Sequence, residues 1–259
     1  MGVKGDYLSH VFIKGVTEEV DLKTLRGQTG AYDSSKWLHA GCRIAARLIA
    51  LQQHEQIITE GYDAESMAVA YAIKTMLNLK SNCGINPVAV IDGCPLPTKE
   101  KENQQRVANR KKAYAEAKAA EAKGDLNDAE KLYMKACGVS TRMKFLLMEE
   151  CMNNEIDYVQ SRHEADSQMV ILVERGVADF AITEDGDLLA LGCRRTLFKL
   201  DVKKFTGQEV LRDKLFNDDK SGFNGFNPSM LTLCNILQGN DYSGIIGRHY
   251  LFRIIHVFH

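Results

Sequence analysis

The chain is expected to fold as an α/β protein with a mostly parallel central sheet flanked by helices. Three observations point there. Short, nearly continuous apolar runs alternate with stretches of helical periodicity, as strands buried on both faces do. Carboxylates recur at or just after the ends of those runs: Asp33, Asp92, Glu164, Asp166, Asp185, Asp187 and Asp241. One segment, 97–138, carries no strand signal and is rich in Ala, Lys and Glu.

Taken in order, residues 28–33 read as a strand weakened by Thr29 and Gly30, and 87–92 (PVAVID) as a strong β-branched strand. Further strands are expected at 156–160, 178–183 and 196–200. Helical periodicity marks 37–51, 64–79, 140–153, 165–175 and 229–237. Within 97–138, one long polar helix is expected from Lys99 to Lys123. Gly124 and Asp125 break it, and Asp125 caps a second helix through Ala136. That segment is an insertion between two core strands, expected to project from the body. The organisation is thus 1–96 and 139–242 as two parts of one core, 97–138 as the insertion, and 243–259 as a divergent end.

Composition bounds the chemistry. Formal net charge is −1, so contact with a polyanion must come from local clusters of Lys and Arg. The 7 Cys show no CxxC or Cys/His zinc spacing, which fits a reducing compartment; Cys42 and Cys137 read as packing residues. Residues 1–6 are too charged for a secretion signal, and Asp6 stands where an N-myristoylation signal wants Ser or Thr. No apolar run approaches the ~20 residues that span a membrane. The apolar end, Tyr250 to His259, is unusual for a terminus and is expected to mark a fragment or a misread gene.

Each acid alone has an ordinary explanation. Asp185 and Asp187 flank Gly186 in a turn, Glu164 and Asp166 open a helix whose N-terminus favours acids, and Asp33, Asp92 and Asp241 are loop or strand-end residues. Together they are a different matter. Acids crowded at one sheet edge repel one another, and divalent cations remove that penalty. Two ions roughly 4 Å apart can clamp an in-line phosphoryl displacement. No phosphate loop or Ser/His/Asp arrangement competes. At ~100° per residue, Lys99, Arg106 and Arg110 share one stripe of the long helix, where a passing polyanion would meet three cations; a solvated helix face is the alternative.

Six blocks then resemble the XPG-type structure-specific 5′ nucleases. They are Met1-Gly2-Val3-Lys4-Gly5, Asp33 with Trp37-Leu38-His39, Ile91 to Lys99, Glu164-Ala165-Asp166-Ser167-Gln168, Ile182 to Ala190, and Gly239-Asn240-Asp241-Tyr242. Order and spacing hold to about residue 242, with the exonuclease branch matching better than the flap-endonuclease branch. The resemblance implies a PIN-like core with a helical arch at 97–138 and a truncated helix-turn-helix region at the end. It implies that the seven carboxylates bind two Mg²⁺ ions, with Mn²⁺ as a substitute. Lys99 and Arg106 would reach the scissile phosphate, with Gly2, His39 and Arg110 on DNA. The implied substrates are DNA with 5′ ends, flaps, nicks or gaps. The implied activity is 5′→3′ exonuclease with 5′-flap endonuclease, in nuclear repair and recombination.

Three departures from that pattern stand out. Ser35 replaces a base-stacking aromatic, Thr29 and Gly30 replace apolar strand residues, and Ser243 to Arg248 lacks the Gly-Ile-Gly turn that holds a monovalent cation. The departures keep a second reading open, a catalytically impaired DNA-structure-binding homologue. A third is a metal phosphatase or RNA nuclease on a similar sheet.

Overall fold

The computed structural model describes residues 15–56, 63–184 and 186–238. Its sheet has seven strands in the order β1-β7-β6-β5-β2-β3-β4. They are β1 (Glu18–Asp21), β2 (Thr29–Asp33), β3 (Asn86–Ile91), β4 (Asp157–Gln160), β5 (Phe180–Ile182), β6 (Arg195–Asp201) and β7 (Thr206–Leu211). The helices are α1 (Ser34–Cys42), α2 (Ala46–Glu55), α3 (Ala64–Cys83), α4 (Glu100–Ala122), α5 (Leu126–Ala136), α6 (Thr141–Asn153), α7 (Ala165–Glu174), α8 (Asp187–Ala190), α9 (Arg212–Asn217) and α10 (Pro228–Gln238).

β2 pairs in parallel with both β3 and β5, and β5 in parallel with β6, as the apolar runs predict. β1 and β7 add an antiparallel edge that the sequence reading missed. Their residues, Glu18-Glu19-Val20-Asp21 and Thr206-Gly207-Gln208-Glu209-Val210-Leu211, are half polar because this edge is only partly covered. The Asp201 carboxylate accepts from the Lys203 and Lys204 N–H groups in the turn between β6 and β7. The chain runs to one side of β2 through β3 and β4, and to the other through β5, β6 and β7. β2 therefore stands at the switch point, where α/β sheets open a crevice at the carboxyl ends of their strands.

The chain divides into two compact units. The first comprises 1–33, 78–94 and 159–259 and carries nearly the whole sheet. One core packs α7 and α8 on the sheet through Ala31, Val88, Val90, Ala165, Met169, Leu172, Ala181 and Leu188. A second gathers Phe198, Val210, Phe216, Phe223, Phe226 and Leu231 around α9 and α10. Gly30 has a physical reason: a Cβ there would lie 2.7 Å from the Phe180 ring, so the small residue admits the aromatic. Thr29 starts the strand by donating its N–H to the Asp179 carboxylate at 2.7 Å.

The second unit comprises 34–77 and 95–158 and is helical. Periodicity predicts one helix over 37–51, but Arg43 to Ala45 break it into α1 and α2. The break has no capping signal, since Ala45 sits at the N-cap of α2 with no side-chain bond. α1 approaches α3 closely at Gly41, where a Cβ would come within 2.5 Å of the Ala68 carbonyl oxygen.

The insertion forms the two helices expected, and the Asp125 side chain caps α5 by accepting from the Asp128 N–H. Within the second unit it packs against α2. Ala117, Ala129, Tyr133 and Ala136 are buried, the His54 ring stacks on Tyr114, and Gln53 bonds the Gly138 carbonyl, all against or beside α2. Ala at helical spacing serves here as a packing stripe as well as a helix former. Cys42 and Cys137 are buried as expected, and Cys94 is the exposed thiol.

Candidate metal and DNA site

Of the first unit's carboxylates, Asp33, Asp92, Glu164, Asp166 and Asp187 stand at one corner of the sheet, at strand ends and helix starts. Asp33 is the last residue of β2 and is 8% exposed. Asp92 follows β3 directly, with Asp33 in register with Val90. Side chains alternate along a strand, and Ala31 and Val90 lie in the core beneath α7. Two residues further along, Asp33 and Asp92 project to that same α7 side. Glu164 is the N-cap of α7 and Asp166 lies in its first turn. Asp187 opens α8, whose Leu188 sits in the same core. One Asp187 carboxylate oxygen is fully buried.

The N-terminus of α7 ties the corner together. Glu164 makes no side-chain cap bond to its own helix. The Asp92 carboxylate accepts the Ala165 N–H instead, at 2.8 Å. A strand-end acid from another segment thus does the capping, and the helix dipole favours negative charge there.

Behind Asp92, Gly93 N–H donates to the His163 carbonyl at 2.7 Å and Cys94 N–H to the Arg162 carbonyl at 3.0 Å. A Cβ on Gly93 would lie 2.0 Å from the Ser161 carbonyl oxygen, so only glycine fits. Sequence reasoning gave neither Gly93 nor Ser161 a role of its own. The available signal was a glycine immediately after a strand-end acid.

The donor set is all carboxylate oxygen, which suits a hard divalent cation such as Mg²⁺ or Mn²⁺ and suits zinc poorly. Among the described residues, no group of three His, Cys, Asp or Glu side chains is placed to hold one ion. Asp185 and Asp241, with Gly2 and the 243–248 turn, lie outside the described residues.

The cations of the second unit do not form one solvated stripe. Lys99 lies in a 3-10 turn, Pro97–Lys99, and is 7% exposed. A lysine is rarely so buried without a partner or a task. Arg106 is exposed and pairs with Glu102 at 2.6 Å. Arg110 is half-buried against Gly138, where a Cβ would meet its Nη1 at 2.1 Å. Burial, then the nearby Arg106 charge, lowers its guanidinium pKa. His39 is exposed in the last turn of α1, and Ser35 is half-buried in the first. Tyr32 is wholly buried and cannot replace the missing aromatic.

Comparison with known proteins agrees with this architecture. The XPG N-terminal domain model matches residues 1–113 and the XPG I-region model residues 155–241. Exonuclease 1 of Arabidopsis thaliana is 32% identical over 230 residues, covering 89% of this chain and 30% of the relative. The chain thus spans about a third of the length of such relatives. The catalytic core of Rad2 in complex with DNA substrate superposes with a TM-score of 0.67 at 17% identity, covering 99% of this chain and 68% of that one.

Flap endonuclease-1 from Methanococcus jannaschii gives 0.59 at 19% identity, covering 95% and 77%. A junction-resolving GEN1 in complex with product DNA, Mg²⁺ and Mn²⁺ ions gives 0.53 at 18% identity, covering 92% and 46%. These structures share the fold. Among the described residues, no helix is long and apolar enough to cross a membrane. With both family models matched in order along the chain, the chain belongs to the XPG family.

Proposed function

We propose that this chain is a divalent-metal-dependent, structure-specific DNA nuclease that works from 5′ ends, as a 5′→3′ exonuclease with 5′-flap endonuclease activity. The observation that carries this is the corner at the carboxyl ends of β2 and β3, where Asp33, Asp92, Glu164 with Asp166, and Asp187 stand on four separate segments of the chain. Kinship to Exonuclease 1, and a fold shared with DNA-bound nucleases, support it. The same kinship supports a role in DNA repair and recombination, in the nucleus.

Asp33, Asp92, Glu164, Asp166 and Asp187, together with Asp185 and Asp241, would hold two Mg²⁺ ions, with Mn²⁺ able to replace them. Bound there, the ions would supply charge stabilisation for in-line attack of water on a phosphodiester. The protein's own part is positional and electrostatic. Asp92 is fixed by its bond to Ala165, so its other oxygen keeps a set direction. Lys99 and Arg106 offset negative charge that develops on the phosphate. Arg106 must leave Glu102 to do so, at a cost of about 1 kcal/mol or less for a surface pair. His39, Gly2 and Arg110 are assigned to DNA contact.

The test is cleavage of a 5′-flap DNA in Mg²⁺ by the wild type and Asp92→Asn. Asparagine keeps an oxygen for the Ala165 N–H and removes the charge. Cleavage should fall by at least about a hundredfold, with DNA binding retained. Wild-type cleavage by the variant, or none by the wild type in any divalent ion, rejects the reading. The second outcome with DNA binding intact would favour the non-catalytic homologue.

A further inference from the structure

We propose that Ser161 is a positioning residue for the carboxylate corner, setting the spacing between Asp92 and the acids that open α7. The inference rests on the metal-dependent reading above. Ser161 is 4% exposed. Its hydroxyl lies 2.9 Å from the Ile91 carbonyl oxygen and 2.8 Å from that of His163. Its single proton serves one carbonyl at a time, while its oxygen accepts from the Gly93 N–H at 3.2 Å.

These three partners flank the proposed ligands. Ile91 and Gly93 bracket Asp92, and His163 immediately precedes Glu164. The hydroxyl therefore ties Gly93, on one side of Asp92, either to Ile91 on its other side or to His163 at the approach to Glu164. Carboxylates that share an ion must hold their spacing to about 0.5 Å, and groups bonded behind such ligands tune affinity. The backbone alone leaves the corner formed but looser. Ser161 N–H to Ile91 and Gly93 N–H to His163 do not need the hydroxyl, so an alanine variant keeps the fold.

Two readouts test this on the whole chain. Mn²⁺ binding is titrated without DNA, by the electron paramagnetic resonance signal of the free ion. The Mg²⁺ dependence of 5′-flap cleavage is measured beside it. Ser161→Ala should bind Mn²⁺ about tenfold more weakly and need correspondingly more Mg²⁺ for half-maximal cleavage. Its kcat at saturating Mg²⁺ should stay within about twofold of wild type, since ligand spacing and not chemistry is altered. Ser161→Thr, which keeps the hydroxyl, should recover the affinity.

A folded Ser161→Ala that binds Mn²⁺ like the wild type overturns the proposal. So does a Ser161→Thr that melts like the wild type yet binds as weakly as alanine. A wild-type chain that neither binds Mn²⁺ nor cuts DNA is a separate failure, and it removes the metal reading on which the proposal stands.

Discussion

At the β3–α7 corner the charged groups are held by backbone. Asp92 caps α7 through the Ala165 N–H, and Gly93 and Cys94 are bonded to the segment that leads into Glu164. On α4 the charges are held by one another. Arg106 leans on Glu102 one turn away, and Lys112 pairs with Glu116. The first arrangement resists solvent and salt, because its positions follow from a buried ladder. The second is screened, easily exchanged, and free to trade a carboxylate for a phosphate. The proposed nuclease needs both: ligands that stay where they are, and cations that can let go.

The largest effect should come from breaking the backbone-held corner. Gly93→Ala places a Cβ 2.0 Å from the Ser161 carbonyl oxygen and 2.6 Å from that of Arg162, and backbone atoms cannot yield cheaply. Loss of about 3 kcal/mol is expected, or roughly 10 °C in Tm for a chain of this size. A thermal melt unchanged from wild type would show that the corner is softer than its hydrogen bonds indicate.

A smaller effect sharpens the other side of the comparison. Arg106→Ala should weaken DNA binding and make it less salt-sensitive, lowering the slope of log affinity against log salt by about 0.7 to 0.9 per lost phosphate contact. The melting temperature should barely move. An unchanged slope, from binding measured across a salt series, would leave Arg106 as a partner of Glu102 and nothing more.

The smallest concerns how the insertion is fastened. Hydrogen bonds from Tyr133 and Arg47 hold the Glu121 carboxyl below its ordinary 4.5. A depressed folded pKa gives stability that is complete above the unfolded value and lost as pH falls through the folded one. The wild type should therefore exceed Glu121→Gln by less than about 1 kcal/mol at neutral pH, with the gap closing on acidification below about pH 4.5. Thermal melts at both pH values check it, and a gap that widens in acid would be the wrong sign.

Much of this was legible in the sequence. The parallel core shows because strands buried on both faces are written in apolar β-branched letters, as in Val88 to Ile91. The Asp125 cap shows because a helix start has few chemical solutions. β1 and β7 stayed hidden because an antiparallel pair carrying Glu18, Glu19, Gln208 and Glu209 reads as loop. The α1–α2 break stayed hidden because Ala45 carries no stop signal.

Of the site, the acids were readable one by one. What was not readable is the buried Ser161 hydroxyl, or the splitting of the cationic stripe into a buried Lys99, a paired Arg106 and a packed Arg110. Those depend on what each side chain meets across the fold, and spacing along one helix carries no record of that.

The central claim is that acids scattered along the chain form one divalent-ion site. Counting Mn²⁺ ions bound per chain, in the wild type and in Asp92→Asn, tests it most directly. The account predicts two ions for the wild type and the loss or marked weakening of at least one in the variant. Equal binding by the two proteins, or no binding by the wild type, would contradict it.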